Sequence, residues 1–358
     1  MIAHRPYRVL IVDDSALIRR ILAEGIERSP DLEVAGFASN GEQATELLAT
    51  LTPDVITLDL EMPGMDGLTF LRSYLRKRPI PTVVISSATN GNNNMAIQAV
   101  EAGAVDIISK PRLNANTGLA VMMSDVCARI VAAAKSRPRL GHVRTEFSRS
   151  IAPLAPSAAM NWVFAIGAST GGIQALSQEL PKFPAGSPPI VLVQHMPEGF
   201  TRSFANRMDM ICPMDVVEAQ DGDQIRPGCI YVAPGGDRHM IVERQAGTLR
   251  ARLINGDPVC YSRPSVDVLF QSVAQHCGRR TVASLLTGMG RDGADGMMAI
   301  RRSGGATFAQ NKETCVVFGM PSVAQKIGAA QHMVPLDEVA QRMMQAVGTR
   351  QRIPGDQT

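Results

Sequence analysis

The chain has 358 residues, 45% hydrophobic and 19% charged, with a formal net charge of +3. That length can hold two domains with separate cores, and so small a charge does not argue for nucleic acid or an anionic membrane as partner. No apolar run reaches the length of a membrane span, and the N-terminus lacks a signal-peptide core, so no membrane insertion is expected; the protein is expected to be cytoplasmic and a monomer. Its six cysteines are scattered without a C-x-x-C pair, which favours reduced thiols over a disulfide framework or zinc site.

From Tyr7 to about Lys135, apolar runs alternate with segments of helical period. Strands are predicted near 8–12, 33–38, 55–59, 81–86 and 106–109, and helices near 15–29, 41–50, 67–78, 93–102 and 118–134. Continuous apolar strands separated by helices read as a buried parallel sheet with crossover helices. Ser15 reads as an N-cap, and Gly41 and Gly103 as turns. Residues 136–159 break this rhythm with Pro138, Pro153 and Pro156, with Arg137, Arg139, Arg144 and Arg149, and with Glu146 as the lone acid. They read as a linker. A second alternation begins at Asn161, with strands near 162–168, 189–194, 281–286 and 306–310. Its helices fall near 172–180, 200–210, 265–277, 294–303 and 336–347. Between them, Ile225 to Leu253 reads as an antiparallel insertion, with Cys229–Ala233 and Met240–Val242 folding about Pro234-Gly235-Gly236. The expected domains are therefore 1–135 and 160–350, joined by 136–159.

Asp13 and Asp14 close the first strand, Asp59 the third, and Lys110-Pro111 follows the fifth. In a parallel sheet the ligand site lies beyond the carboxyl ends of the strands, so these residues converge. A carboxylate can accept a phosphoryl group if a hard cation neutralises the transferring oxygens. Asp59 is the acceptor candidate, in a loop (Met62-Pro63-Gly64-Met65-Asp66-Gly67) that is expected to leave its carboxylate exposed. Asp13, Asp14 and Asp59 would hold a magnesium ion, and Lys110 would act as a point charge on the phosphoryl oxygens. Ser86, ending the fourth strand, offers a hydroxyl. The plain alternative is that strand-end acids cap helices. On these residues, 7–125 resembles a response-regulator receiver domain with a flavodoxin-like five-stranded parallel sheet. The resemblance implies that a histidine kinase phosphorylates Asp59 and that Ser86 and Lys110 act as switch residues. It also implies a cis bond before Pro111, and Ile108 stands where a larger switch residue is often found.

In the second half, Trp162-Val163-Phe164-Ala165-Ile166 runs into Gly167-Ala168-Ser169-Thr170-Gly171-Gly172, a G-x-S-x-G between strand and helix. A serine on so sharp a turn is held out for attack, and its helix N-terminus adds a positive field. A glycine-rich turn that only turns, or binds phosphate, carries the same pattern. Among the histidines, His195 directly follows the apolar run Ile190–Gln194, His239 lies in the insertion, and His332 falls between helix patterns. Asp292, in Thr287-Gly288-Met289-Gly290-Arg291-Asp292-Gly293, is the orienting acid, and the N–H of Met289 is the oxyanion donor. Two triads compete: Ser169, Asp292 and His332 follow α/β-hydrolase chain order, whereas Ser169, His195 and Asp292 are all strand-terminal. Convergence at one sheet edge constrains more than chain order does, and selects His195.

Residues 160–347 resemble the catalytic domain of the chemotaxis protein-glutamate methylesterases. The matching segments are 166–172, Gln194-His195-Met196-Pro197, Ala233-Pro234-Gly235-Gly236 with His239-Met240, Pro264-Ser265-Val266-Asp267-Val268-Leu269-Phe270, and Leu286-Thr287-Gly288-Met289-Gly290 with Asp292-Gly293. Tyr261-Ser262-Arg263 departs from the family, where a histidine often precedes the proline. The expected fold is a receiver followed by a doubly wound α/β methylesterase domain with a small antiparallel insertion. The resemblance implies a serine esterase of chemoreceptor glutamyl methyl esters, with glutamine deamidation as a second activity and no metal at the esterase site. A DNA-binding output domain and a catalytically inactive partner-binding domain are the alternatives, and no recognition helix or basic face supports the first.

Overall fold

The computed structural model describes residues 5–74, 78–87, 90–110, 119–136, 151–155 and 159–351. Most of the expected linker, and the bond to Pro111, lie outside these residues. The chain divides into two compact units, Met1–His142 and Val143–Thr358.

The first unit runs β1 (Tyr7–Val12), α1 (Ala16–Glu27), β2 (Leu32–Ala38), α2 (Gly41–Leu47), β3 (Val55–Leu58), α3 (Gly67–Tyr74), β4 (Thr82–Ser86), α4 (Asn90–Glu101), β5 (Asp106–Ser109) and α5 (Leu119–Lys135). All five strands are parallel, in the order β2-β1-β3-β4-β5. β3 and β4 are buried along their whole length, as strands covered on both faces must be. Ser15 caps α1 by accepting the Ile18 N–H, and Ile21, Leu22 and Ile26 form the helix's buried stripe. Gly41 is not a turn residue: it opens α2, capped by the Asn40 side chain accepting the Gln43 N–H. The asparagine was the stronger start signal. Gly103 does turn the chain, at φ +119°. Strand order reverses between β1 and β3, so the crevice for a ligand lies beyond their carboxyl ends.

The second unit contains β6 (Val163–Ala168), α6 (Gly172–Glu179), β7 (Ile190–Gln194), α7 (Phe200–Asp209), β8 (Asp215–Glu218), β9 (Cys229–Val232), β10 (Arg238–Gln245) and β11 (Thr248–Asn255). It continues with α8 (Val266–Cys277), β12 (Thr281–Leu285), α9 (Ala294–Arg302), β13 (Ala306–Gln310), α10 (Met320–Lys326), β14 (His332–Val334) and α11 (Val339–Gln351). Seven strands form a parallel sheet in the order β14-β13-β12-β6-β7-β9-β8, with β10-β11 a separate antiparallel pair. The chain starts at β6, builds outward through β7, then returns to β12 on β6's other side. That reversal makes the carboxyl ends of β6, β7 and β12 the natural crevice.

One expectation is corrected here. Cys229–Val232 does not pair with Met240–Val242; it is β9, parallel to β7 and β8 within the main sheet. Its four residues are all buried, which suits a strand covered on both faces. The antiparallel partner of β10 is β11, joined through Ala246-Gly247. Met240, Val242, Leu249 and Ala251 from this pair share one core with Val266, Leu269, Phe270 and Val273 of α8. β8 and β14, at the sheet edges, and α10 carry too little apolar pattern to be predicted. Among the described residues, no helix is long and apolar enough to cross a membrane.

Candidate active site and acidic cluster

Asp13 follows β1 and Asp59 follows β3, on either side of the first crevice. Lys110, following β5, reaches both: its Nζ lies 2.6 Å from Asp59 Oδ2 and 3.0 Å from Asp13 Oδ2. Asp14 is exposed, yet one oxygen from each of Asp13, Asp14 and Asp59 can be chosen so that all lie within 4.8 Å of one another. Asp59 itself is buried, contrary to the exposed carboxylate expected of its loop. Gly67, the first residue of α3, lets that loop pack close: a Cβ there would sit 2.2 Å from the Asp59 carbonyl oxygen. Burial pushes the Asp59 carboxyl up to about 6, against the opposing pull of Lys110. Burial would lower the Lys110 ammonium, but the two carboxylates outweigh it and hold its pKa above the usual value. Ser86 ends β4, buried, with its hydroxyl donating to the Ser87 carbonyl at 3.4 Å.

In the second unit, Ser169 is the residue after β6, His195 the residue after β7, and Asp292 lies in the loop from β12 to α9. Ser169 is held by its backbone. Its N–H donates to the Thr287 carbonyl at 3.0 Å, and its carbonyl accepts from Gly172 at 2.7 Å. Gly171, at φ +77°, makes the reversal into α6. Gly172 is needed for close packing, since a Cβ there would meet Gln194 Oε1 at 2.0 Å and Ala168 Cβ at 2.7 Å. Gln194 Nε2 donates to the carbonyls of Ser169 (3.0 Å) and His195 (3.1 Å). One buried amide therefore spaces the two strand ends.

His195 Nε2 lies 2.8 Å from Asp292 Oδ2. Asp292 is buried and accepts three more donors: Val266 N–H (2.8 Å) on Oδ2, and Ser265 Oγ (2.7 Å) and Asp267 N–H (2.9 Å) on Oδ1. Burial alone would raise this carboxyl; His195 and the donors at the start of α8 instead hold it below the usual carboxylate range. An ionised Asp292 accepts a hydrogen bond from the Nε2–H, a tautomer that leaves Nδ1 as the acceptor nitrogen of the ring. Nδ1 faces Ser262 Oγ at 3.3 Å. Gly288 packs on Ser169: a Cβ there would lie only 2.7 Å from that serine's Cβ. Met289 follows it, half-buried, and among the described residues no acceptor takes its N–H.

His332 stands elsewhere. It opens β14 at the sheet edge, exposed, with its ring stacked on Phe308 at 5.4 Å. His239 is buried and takes no part in the Ser169 group: its Nδ1 accepts the Ser265 N–H (3.1 Å) and its Nε2 donates to the Asp257 carbonyl (3.0 Å). It fastens the insertion to the start of α8. Residue reasoning assigned no role to Gln194, Ser265 or Asp267. Ser265 had a usable signal, a serine before an apolar helical run, which marks an N-cap. Nothing in the local pattern reveals that the same hydroxyl also serves Asp292. Asp267 is buried beside Asp292, and burial, aided by that neighbouring charge, raises its carboxyl to about 6.

Comparison with known proteins agrees with this geometry. Residues 164–343 match the CheB methylesterase family, and residues 9–119 the response regulator receiver domain. A protein-glutamate methylesterase/protein-glutamine glutaminase of Cereibacter sphaeroides is 56% identical over 97% of this chain and 93% of its own length. One from Pseudomonas aeruginosa is 45% identical over 96% of this chain and 98% of its own. The crystal structure of the Thermotoga maritima CheB methylesterase catalytic domain superposes with a TM-score of 0.51 at 39% identity, covering 52% of this chain and 98% of that one. With a receiver at one end, the serine crevice at the other and these relatives along nearly its whole length, the chain belongs to the CheB family of protein-glutamate methylesterases/protein-glutamine glutaminases.

Proposed function

We propose that this chain is a phosphorylation-activated serine esterase that removes methyl groups from glutamyl methyl esters of chemoreceptors and deamidates receptor glutamines. Residues 1–135 serve as the receiver, 136–159 as the linker and 160–350 as the catalytic domain. The observation that carries the reading is the His195 ring. One nitrogen is committed to an ionised Asp292, the other is left as an acceptor, and the Ser169 turn is tied beside it through Gln194.

The chemistry follows from that arrangement. Ser169 Oγ attacks the ester carbonyl while His195 Nδ1 takes its proton, and Asp292 stabilises the imidazolium that forms. The Met289 N–H donates to the developing oxyanion, a contribution of ~3 kcal/mol for such a donor. His195 returns the proton to the leaving methoxide, methanol departs, and water, deprotonated in turn by His195, releases the free glutamate.

Control belongs to the first unit. Asp59 takes the phosphoryl group from a histidine kinase, and Lys110 pairs with its oxygens in place of the present carboxylate contacts. The cluster suits magnesium: its donors are hard carboxylate oxygens, and one from each of Asp13, Asp14 and Asp59 lies within 4.8 Å of the others. Asp13, Asp14 and Asp59 would hold the ion, which would supply neutralisation of charge on the transferring oxygens. Ser86 and Lys110 then pass the change to the rest of the receiver. Methanol release from methylated receptor membranes, with and without a small phosphodonor, tests the reading. Release that rises with phosphodonor and disappears in Ser169→Ala is expected; turnover retained by Ser169→Ala excludes the triad. Fluorophosphonate labelling of Ser169 separates an esterase from an inert partner-binding domain.

A further inference from the structure

Beside the base stands a tight turn with unusual backbone. Val259 and Ser262 exchange both of their backbone hydrogen bonds, at 3.1 and 2.9 Å. The two residues between them, Cys260 (φ +50°) and Tyr261 (φ +63°), both lie in the left-handed region. Two-residue turns of this hand ordinarily use Asn-Gly or Gly, because an L side chain in this conformation costs energy. The β10–β11 turn follows that habit at its second position, with Gly247 at φ +82°.

The turn is fastened from within. Ser262 Oγ is 3.3 Å from His195 Nδ1, and Cys260 Sγ is 4.0 Å from Asp267 Oδ2. Arg263 donates to the carbonyls of Gly236 (3.3 Å) and Gly256 (2.8 Å). Tyr261 alone is untethered: its side chain makes no hydrogen bond among the described residues and is 93% exposed. Among the described residues, no hydrogen bond of the Tyr261 side chain offsets the cost of holding a tyrosine here, and strain of this kind persists at functional sites.

Building on the esterase reading above, we propose that Tyr261 is a specificity residue whose ring packs on the receptor polypeptide flanking the reacting glutamyl side chain. Tyr261 is adjacent in the chain to Ser262, whose hydroxyl touches the base, and consecutive Cα atoms are only ~3.8 Å apart. A protein substrate that brings its ester carbonyl to Ser169 must lay its own backbone across the rim of this crevice. Tyr261 presents a rigid amphipathic surface there, the kind of side chain that anchors polypeptide contacts. A small ester has no flanking chain and does not use it.

The test compares full-length wild type, Tyr261→Gly and Tyr261→Phe on methylated receptor membranes and on p-nitrophenyl acetate. Glycine accepts the left-handed backbone without penalty, so the turn and the fold survive the change. Tyr261→Gly is expected to lower kcat/KM for receptor about tenfold, mainly through KM, with less than about a twofold change on the small ester, and Tyr261→Phe to stay close to wild type. An equal fall on both substrates overturns the proposal, because the turn then acts only through His195. An unchanged receptor KM overturns it as well, and so does a rise on both substrates, which would mean that the ring holds the chain's own receiver. Binding of a methylated receptor fragment to Ser169→Ala, with and without Tyr261→Gly, keeps the two readings apart. If wild type hydrolyses neither substrate, the esterase reading fails; if the fragment binds equally to both variants, this one does.

Discussion

Asp292 is ionised because four donors converge on it, two of them backbone N–H groups from the first turn of α8. Asp292→Asn would set an amide N–H against one of those donors and remove the charge that stabilises an imidazolium. A loss of about ten-thousand-fold in kcat is expected, with the protein still folded, and stopped-flow methanol assays check it. Asp267 behaves in the opposite sense. Its folded carboxyl is raised to about 6, above an unfolded value of about 3.9. A raised acid favours the folded state while protonated, so the stability it lends is lost as pH climbs from about 4 through 6. Asp267→Asn keeps an oxygen for the Gly296 N–H and carries no charge. It should therefore stabilise the fold by roughly 2 kcal/mol at pH 8 and by less at pH 5, as read from urea denaturation at both pH values.

At the scale of elements, the active site depends on how closely β6, α6 and β7 approach. Gly172 has no room for a Cβ between Gln194 and Ala168. Gly172→Ala must push Gln194 away and loosen the amide that spaces Ser169 from His195. A destabilisation of about 1–3 kcal/mol is expected, with kcat falling more than KM rises; denaturant midpoints and steady-state kinetics measure the two effects. The same scale explains the misread insertion. β9 has the unbroken apolar run of a strand buried on both faces, and its neighbour in sequence, β10, follows after a short glycine loop. Short spacing suggested a hairpin, but pairing is chosen by which faces can be buried, and β9 is completed only between β7 and β8. His332 is a similar case: it opens a three-residue edge strand that sequence periodicity is too short to reveal.

For the whole molecule, the two units have separate sheets and separate crevices, and the proposed control links Asp59 in one to Ser169 in the other. Asp59→Asn should leave basal methanol release close to wild type and abolish its rise with phosphodonor. Chelating divalent cations should have the same selective effect, because no step at Ser169, His195 or Asp292 draws on the acidic cluster. Removing residues 1–135 is expected to raise the resting rate. A truncated protein no more active than the resting full chain would rule out a receiver that works as a simple inhibitory cover.

Apolar runs, strand-end acids and glycine turns are local features, and the sequence by itself determined from them two parallel α/β units. It also placed Ser169, His195, Asp59 and Lys110 at strand ends, because parallel topology sends every carboxyl end to the same edge. Burial and partnership were left to the tertiary structure. The burial of Asp59, the spacing by Gln194, the second role of Ser265 and the partners of the two His195 nitrogens all arise from contacts between segments distant in sequence. Such contacts form only when the elements pack, and no periodicity along the chain encodes them.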